Sequence, residues 1–275
     1  MDKRKYLDPS MVAKLNNMQL RARLVVEGYM IGYHKSPYHG FSVEFAEHRS
    51  YGHGDEVRHI DWKLYGKTDR YYVKRFEEET NVRSHILLDS SQSMKFGSGS
   101  VNKLSYATYL SAALTYLMLS QKDAVGLVLF DEKIKKFIPP KSTQSHSNII
   151  MKTLEKVTPG YDTQIQPVLD SMAEQIRKRG LIILISDLLD DPEKVLMGLK
   201  HFRYNKQEII VFHLMDPEEY NFDFGERIQF TDMESGESIT TDPWHIRKAY
   251  KKQIDQFNKT YLHGCRNPVS YTHLT

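Results

Sequence analysis

From Val82 onward the chain alternates short, almost uninterrupted apolar runs with longer segments whose apolar residues recur at helical spacing. The runs are Ile86 to Asp89, Ala124 to Phe130, Leu181 to Ser186 and Glu208 to Leu214. Each is too short for a buried helix and too continuous for a strand with one wet face. Strands of that kind lie inside a sheet covered on both sides, and in such sheets they run parallel. Helical periodicity fills the gaps over Leu104 to Ser120, Asn148 to Lys156 and Ile165 to Lys178, with a further helix starting near Pro192. Ile134 to Ile138 is a short edge piece. The alternation predicts an α/β fold with a doubly wound, mostly parallel sheet of Rossmann type. Arg227 to Thr231 and Ser238 to Thr241, joined through Glu234-Ser235-Gly236, read as a hairpin ahead of a last helix at Pro243 to Tyr261.

The pattern changes at both ends. Val12, Leu15, Met18, Leu20, Leu24 and Val25 recur at helical spacing after Pro9-Ser10, which predicts an amphipathic helix over Met11 to Tyr29. From Gly32 to Tyr72 glycines punctuate short aromatic and β-branched pieces such as Phe41 to Phe45, as in a small irregular β region. The expected division is therefore residues 1–80 for the helix and β region, 81–265 for the sheet domain, and 266–275 for a tail. A sheet of this type should continue with one more apolar strand and a closing helix. The chain instead reads Arg266-Asn267-Pro268, and Val269 to Thr275 resembles a translated sequencing adapter. The expectation is a non-native tail, a missing C-terminal strand and helix, and an uncovered sheet edge.

Composition narrows the function classes. With 38 basic and 35 acidic residues the net charge is +3, too small a field to imply nucleic acid. Leu7-Asp8-Pro9-Ser10 stands where an export signal needs an apolar stretch, and the greasiest segments, Leu110 to Leu119 and Leu181 to Leu189, are far below the ~20 residues of a membrane span. A single Cys265 fits a reducing compartment, so the expected location is cytoplasmic.

Candidate chemistry sits at the strand ends. The run ending at Leu88 empties into Asp89-Ser90-Ser91-Gln92-Ser93, in which one carboxylate and two hydroxyls at alternate positions can converge if the backbone curls. Oxygen ligands favour Mg²⁺, or Mn²⁺ or Ca²⁺, over zinc. Taken alone, such a string also serves as a helix cap. Open parallel sheets, however, bind ligands outside the carboxyl ends of their strands, where strand order reverses. Asp187 follows the strand Leu181 to Ser186, and Thr163 lies in the loop Pro159 to Gln164 that opens the preceding helix. The candidate metal set is Asp89, Ser91, Ser93, Thr163 and Asp187. Helix capping remains the alternative for Thr163 and Asp187.

That set resembles the metal-ion-dependent adhesion site of von Willebrand factor A domains: DxSxS, then a Thr, then an Asp after a later strand. The front half adds Gly32, His34, Ser36, Gly40, Ser42, Glu44-Phe45, Arg49, Tyr51, Gly54-Asp55, Arg58 and Ile60-Asp61-Trp62-Lys63, followed by Tyr72-Val73-Lys74 and Phe76 to Glu79. These are similar to the signature of the DUF58 family, with Asp61-Trp62-Lys63 as its most specific marker. The resemblance implies a prokaryotic von Willebrand A-like protein that binds a protein partner through a metal. It also implies an adaptor or co-chaperone role beside a MoxR-type AAA+ ATPase. On that reading Asp89, Ser91 and Ser93 stand near the metal, Thr163 gates direct contact, Asp187 acts through water, and a partner's Asp or Glu completes the shell.

Other clusters point elsewhere. His34, His39, His48, His53 and His59 have neither helical-pair nor knuckle spacing, so ordinary hydrogen bonding is expected in place of zinc. Arg49, Asp55, Arg58, Asp61 and Lys63 suggest a buried polar network, and Glu77 to Glu79 a solvated face. The chain has no GxxxxGK[ST] loop. A Mg²⁺-dependent phosphoesterase is the alternative function. It needs a second carboxylate where Ser91 stands, and an acid or base for which Lys95 and His213 are the candidates. The expectation is a binding module and not an enzyme.

Overall fold

A computed structural model describes residues 18, 42–52, 55, 60–79, 82–160, 164–225, 228–231, 238–266 and 271–274. The amphipathic helix expected over Met11 to Tyr29 lies outside these residues except for Met18, which is helical and buried. The histidine cluster, apart from the backbone of His48, also lies outside them. The chain divides into two compact units, His34–Val82 and the remainder.

In the smaller unit β1 (Ser42–Ser50) pairs antiparallel with β2 (Tyr72–Glu79), with a register shift between Phe45 and Glu47. Between them runs the short helix α1 (Trp62–Thr68). Asp61 is its N-cap and accepts hydrogen bonds from the Lys63 and Leu64 amides at 3.0 and 3.1 Å. Of the polar network expected around Arg49, Arg58 lies outside the described residues. Arg49 pairs with Asp55 at 2.6 Å while half exposed, and Asp61 serves the helix end.

In the larger unit the elements are β3 (Arg83–Asp89), α2 (Lys103–Ser120), β4 (Ala124–Phe130), β5 (Ile134–Lys141), α3 (Gln144–Leu154) and α4 (Ile165–Gln175). They continue with β6 (Leu181–Ser186), α5 (Pro192–Tyr204), β7 (Glu208–His213), α6 (Pro217–Asn221), the hairpin β8 (Ile228–Thr231) and β9 (Ser238–Thr241), α7 (Pro243–Arg266) and β10 (Tyr271–Leu274). Among the described residues, six strands form the main sheet in the order β10-β7-β6-β3-β4-β5. All neighbours are parallel except β4 and β5. This is the doubly wound α/β arrangement that the alternation predicts. Leu87, Ile182, Leu184, Ile209 and Val211 face the layer formed by α4, α5 and the end of α7, where Tyr261 and Cys265 are buried. Helix α2 covers β3 and β4, and α3 packs beside it.

β10 changes one expectation. The edge of β7 that should stand open is lined by Tyr271–Leu274, in register from Ile210 to His213.

The strand order has a direct consequence for function. From β3 the chain winds outward through β4 and β5, then returns to the other side of β3 to build β6 and β7. Strand order therefore reverses between β3 and β6, and the crevice at their carboxyl ends is where such sheets bind ligands. Helices α4 and α5, which flank the loops on the β6 side, approach closely at Gly198. A Cβ there would lie 2.8 Å from the Leu169 Cβ. Gly198→Val should therefore lower the unfolding free energy by about 1–3 kcal/mol through overpacking. An unchanged urea midpoint would show that the helices have room to part.

Candidate metal centre

The register of β3 and β6 aligns Leu88 with Ile185, so the next residues, Asp89 and Ser186, stand side by side at the sheet's end. The Ser186 hydroxyl donates to Asp89 Oδ2 at 2.6 Å, and the Ser91 amide donates to Oδ1 at 2.9 Å. The second bond curls the chain after the strand, and the curl brings the Ser91 and Ser93 hydroxyls within 3.0 Å of each other. Asp89 and Ser91 are fully buried, and Asp187 is 2% exposed. Burial first, and then the charge of Asp187, push the Asp89 carboxyl up to about 7, while the bonds from Ser186 and Ser91 oppose the rise.

The backbone beyond Asp187 is held in an unusual shape. Leu188 has a φ of 55°, in the left-handed region that costs a bulky residue about 1 kcal/mol or more. Its amide donates to Ser186 Oγ at 2.9 Å and its carbonyl accepts from the Tyr261 hydroxyl at 3.0 Å, so the turn is pinned on both sides. On the β4 side, the Ser90 amide and hydroxyl each donate to the Phe130 carbonyl at 2.8 Å. The Gly160 amide in turn donates to the Ser90 carbonyl at 2.7 Å, which docks the start of the Pro159 to Gln164 loop against the DxSxS turn. Thr163 itself lies outside the described residues. At the loop's far end the Ile165 amide donates to Asp190 Oδ2 at 2.9 Å.

Four of the five candidate residues, Asp89, Ser91, Ser93 and Asp187, thus lie at the ends of the adjacent strands β3 and β6. Sequence reasoning missed their partners. Lys103, 5% exposed, reaches Asp187 Oδ2 at 2.9 Å and Glu219 Oε1 at 2.7 Å. Glu219 Oε2 accepts from the Asp216 amide at 2.9 Å as half of a capping box on α6. Asp216 accepts from the Ser98 amide and hydroxyl at 2.9 and 2.6 Å. The loop that carries the hydroxyls is therefore tied to the segment after β7. Burial works to lower the Lys103 ammonium, but the charges of Asp187 and Glu219 outweigh it and leave its pKa raised.

The two acid–base candidates of the phosphoesterase alternative have different surroundings. Lys95 is exposed in the turn Ser93–Lys95. His213 is buried beneath Phe257 and Tyr261, its Nε2 has no hydrogen-bond partner, and burial lowers its pKa to about 4. The oxygens that could hold a hard cation are those of Asp89, Ser91 and Ser93, with Asp187 Oδ1 beyond them. The donor chemistry fits Mg²⁺ or Mn²⁺, since it is oxygen throughout and carries a carboxylate that burial alone leaves poorly compensated.

Comparison with known proteins shows the family. The model of the family described as "Protein of unknown function DUF58" matches residues 47–260. The chain belongs to the DUF58 family. The matched stretch starts at Glu47, so the front signature from Gly32 to Phe45 lies ahead of it. Curated relatives include the uncharacterized proteins Rv1480 of Mycobacterium tuberculosis and Mb1516 of Mycobacterium bovis. Each is 24% identical over 233 residues, covering 83% of this chain and 73% of the relative. Among solved structures, an aerotolerance-related membrane protein from Bacteroides fragilis is 18% identical, with a TM-score of 0.47, over 70% of this DUF58 chain and 91% of that one. BatB from Bacteroides thetaiotaomicron is 15% identical over 70% and 90%, with a TM-score of 0.42. The VWA domain of SpRpn10 is 15% identical over 48% and 75%, with a TM-score of 0.36.

The raised Asp89 carboxyl carries a pH signature in metal-free protein. Between about pH 4 and 7 the folded state holds a proton there that the unfolded chain releases, so this group's stabilisation is lost as pH rises. His213 acts in the opposite sense below its ordinary range, because the unfolded chain takes up its proton first. Subtracting Asp89→Asn from wild type isolates the carboxyl. The stability of wild type relative to the variant, from urea melts in EDTA, should fall across that window. A flat difference would mean that Asp89 is not strained in this way.

Proposed function

We propose that the crevice between β3 and β6 holds a hard divalent cation, Mg²⁺ in the first instance, and that the cation binds a protein partner through the partner's Asp or Glu. The observation that carries this reading is the buried Asp89 carboxylate beside the paired Ser91 and Ser93 hydroxyls, at the point where strand order reverses. Ser91 and Ser93 are neutral ligands, so a cation held there keeps most of its charge for an outside carboxylate. Mg²⁺ also gives up its waters reluctantly, which leaves an exchangeable position. Thr163 would gate direct contact from the loop that Gly160 docks against Ser90.

The partner suggested by the family resemblance is a MoxR-type AAA+ ATPase, for which this protein would act as adaptor or co-chaperone. No helix among the described residues is long and apolar enough to cross a membrane. The single Cys265 fits a reducing compartment, and a cytoplasmic site of action is part of the proposal. Binding of a MoxR-type ATPase from the host, measured by calorimetry in Mg²⁺ and in EDTA, tests the proposal. Wild type should bind only with Mg²⁺, and Asp89→Ala should lose binding by at least about 100-fold, as truncation at a hot spot does, with an unchanged circular dichroism spectrum. Equal binding in EDTA, or by the variant, would refute it.

A further inference from the structure

Lys103 stands in the wrong place for an ordinary lysine. It is the first residue of α2, at the positive end of the helix dipole, and the first turn carries no acidic residue. It is also 5% exposed, whereas lysines are almost never buried unless paired. Four contacts fix it. Its amide donates to the Phe96 carbonyl at 3.0 Å, its ammonium lies 5.8 Å from the centre of the Phe96 ring, and the same ammonium is shared between Asp187 and Glu219. Glu219 cannot readily follow a moving lysine, because its other oxygen closes the capping box of α6.

We infer that Lys103 is the site's built-in countercharge, a tethered cation that holds Asp187 Oδ2 and so keeps Asp187 from ligating the metal directly. The inference deepens the metal-binding reading above and rests on it. Without Lys103, Asp89, Asp187 and Glu219 would present three carboxylates to one crevice, and an incoming cation would be wrapped by protein oxygens. With Lys103 in place, Asp187 offers its remaining oxygen at most. The cation is then held loosely, by one carboxylate and neutral hydroxyls, and keeps a position open for an outside acid. Lys103 is thus a positioning residue: it sets how strongly the site holds its metal and how much of the metal's charge is left for a partner.

Mn²⁺ titrations of the full chain by calorimetry, with melting curves in EDTA and in excess Mn²⁺, test this. Lys103→Met should bind Mn²⁺ about tenfold or more tighter than wild type, because a repelling unit charge is gone. Lys103→Arg should stay near wild type. In EDTA, Lys103→Met should melt below wild type, and Mn²⁺ should narrow that gap as the metal replaces the missing cation. Equal or weaker binding by folded Lys103→Met, or a gap that Mn²⁺ does not narrow, overturns the countercharge role alone. If that variant does not fold, Glu219→Gln decides, since it leaves Lys103 on Asp187 and removes one negative charge. Weaker Mn²⁺ binding supports the inference, and unchanged or tighter binding overturns it. No Mn²⁺ binding by wild type overturns the metal reading itself, and this inference with it.

Discussion

Two adjacent parallel strands deliver two carboxylates to the same buried corner, and the rest of this end of the molecule is arranged around their charge. Asp89 and Asp187 are almost completely shielded from water. Like charges in such surroundings cannot both ionise freely unless something of opposite sign or a set of hydrogen-bond donors meets them. The fold supplies several answers at once. Ser186 and the Ser91 amide meet Asp89, and Lys103 meets Asp187. Lys103 in turn requires Glu219, which the capping box of α6 orients, and Asp216 of that box anchors Ser98. Compensation for one pair of carboxylates thus extends from β3 to the segment beyond β7.

The same chain of dependence makes the hydroxyl-bearing turn rigid. It is held near its start by the bond between Ser90 and the end of β4, and beyond its far end by the bond between Ser98 and Asp216. The Leu188 turn across the crevice stores backbone strain, and Tyr261, from the last helix, helps to hold it. A site built in this way changes little when a ligand arrives, because the ordering cost was met during folding. Such rigidity suits a cradle whose proposed task is to present a cation and not to move.

The sheet was legible because its strands are buried on both faces and so carry continuous apolar runs. Ala124–Phe130 and Leu181–Ser186 form strands with the boundaries that the runs predict. The short helix α6 was not anticipated, since five residues carry no period, although Asp216-Pro217 and Glu219 give a readable start signal. At the site, Asp89 and Asp187 could be found because each directly follows an apolar strand. Lys103, Glu219 and Asp216 could not be found by that rule. Their meeting depends on side chains more than a hundred residues apart in two of the three links. One local clue existed, a lysine opening a helix with no acid in its first turn. Among the β region's polar residues, Arg49, Asp55 and Asp61 make local contacts at a turn and a helix end, which residue type and spacing alone do not distinguish from a wider network.

Anomalous diffraction from crystals of the protein soaked in Mn²⁺ tests the central claim most directly. The predicted result is a manganese peak within about 2.3 Å of the Ser91 and Ser93 hydroxyl oxygens, close to Asp89, with Lys103 still on Asp187 and at least one position on the metal filled by solvent. A crevice without manganese at saturating metal, its two hydroxyls still hydrogen-bonded to each other, would contradict the account.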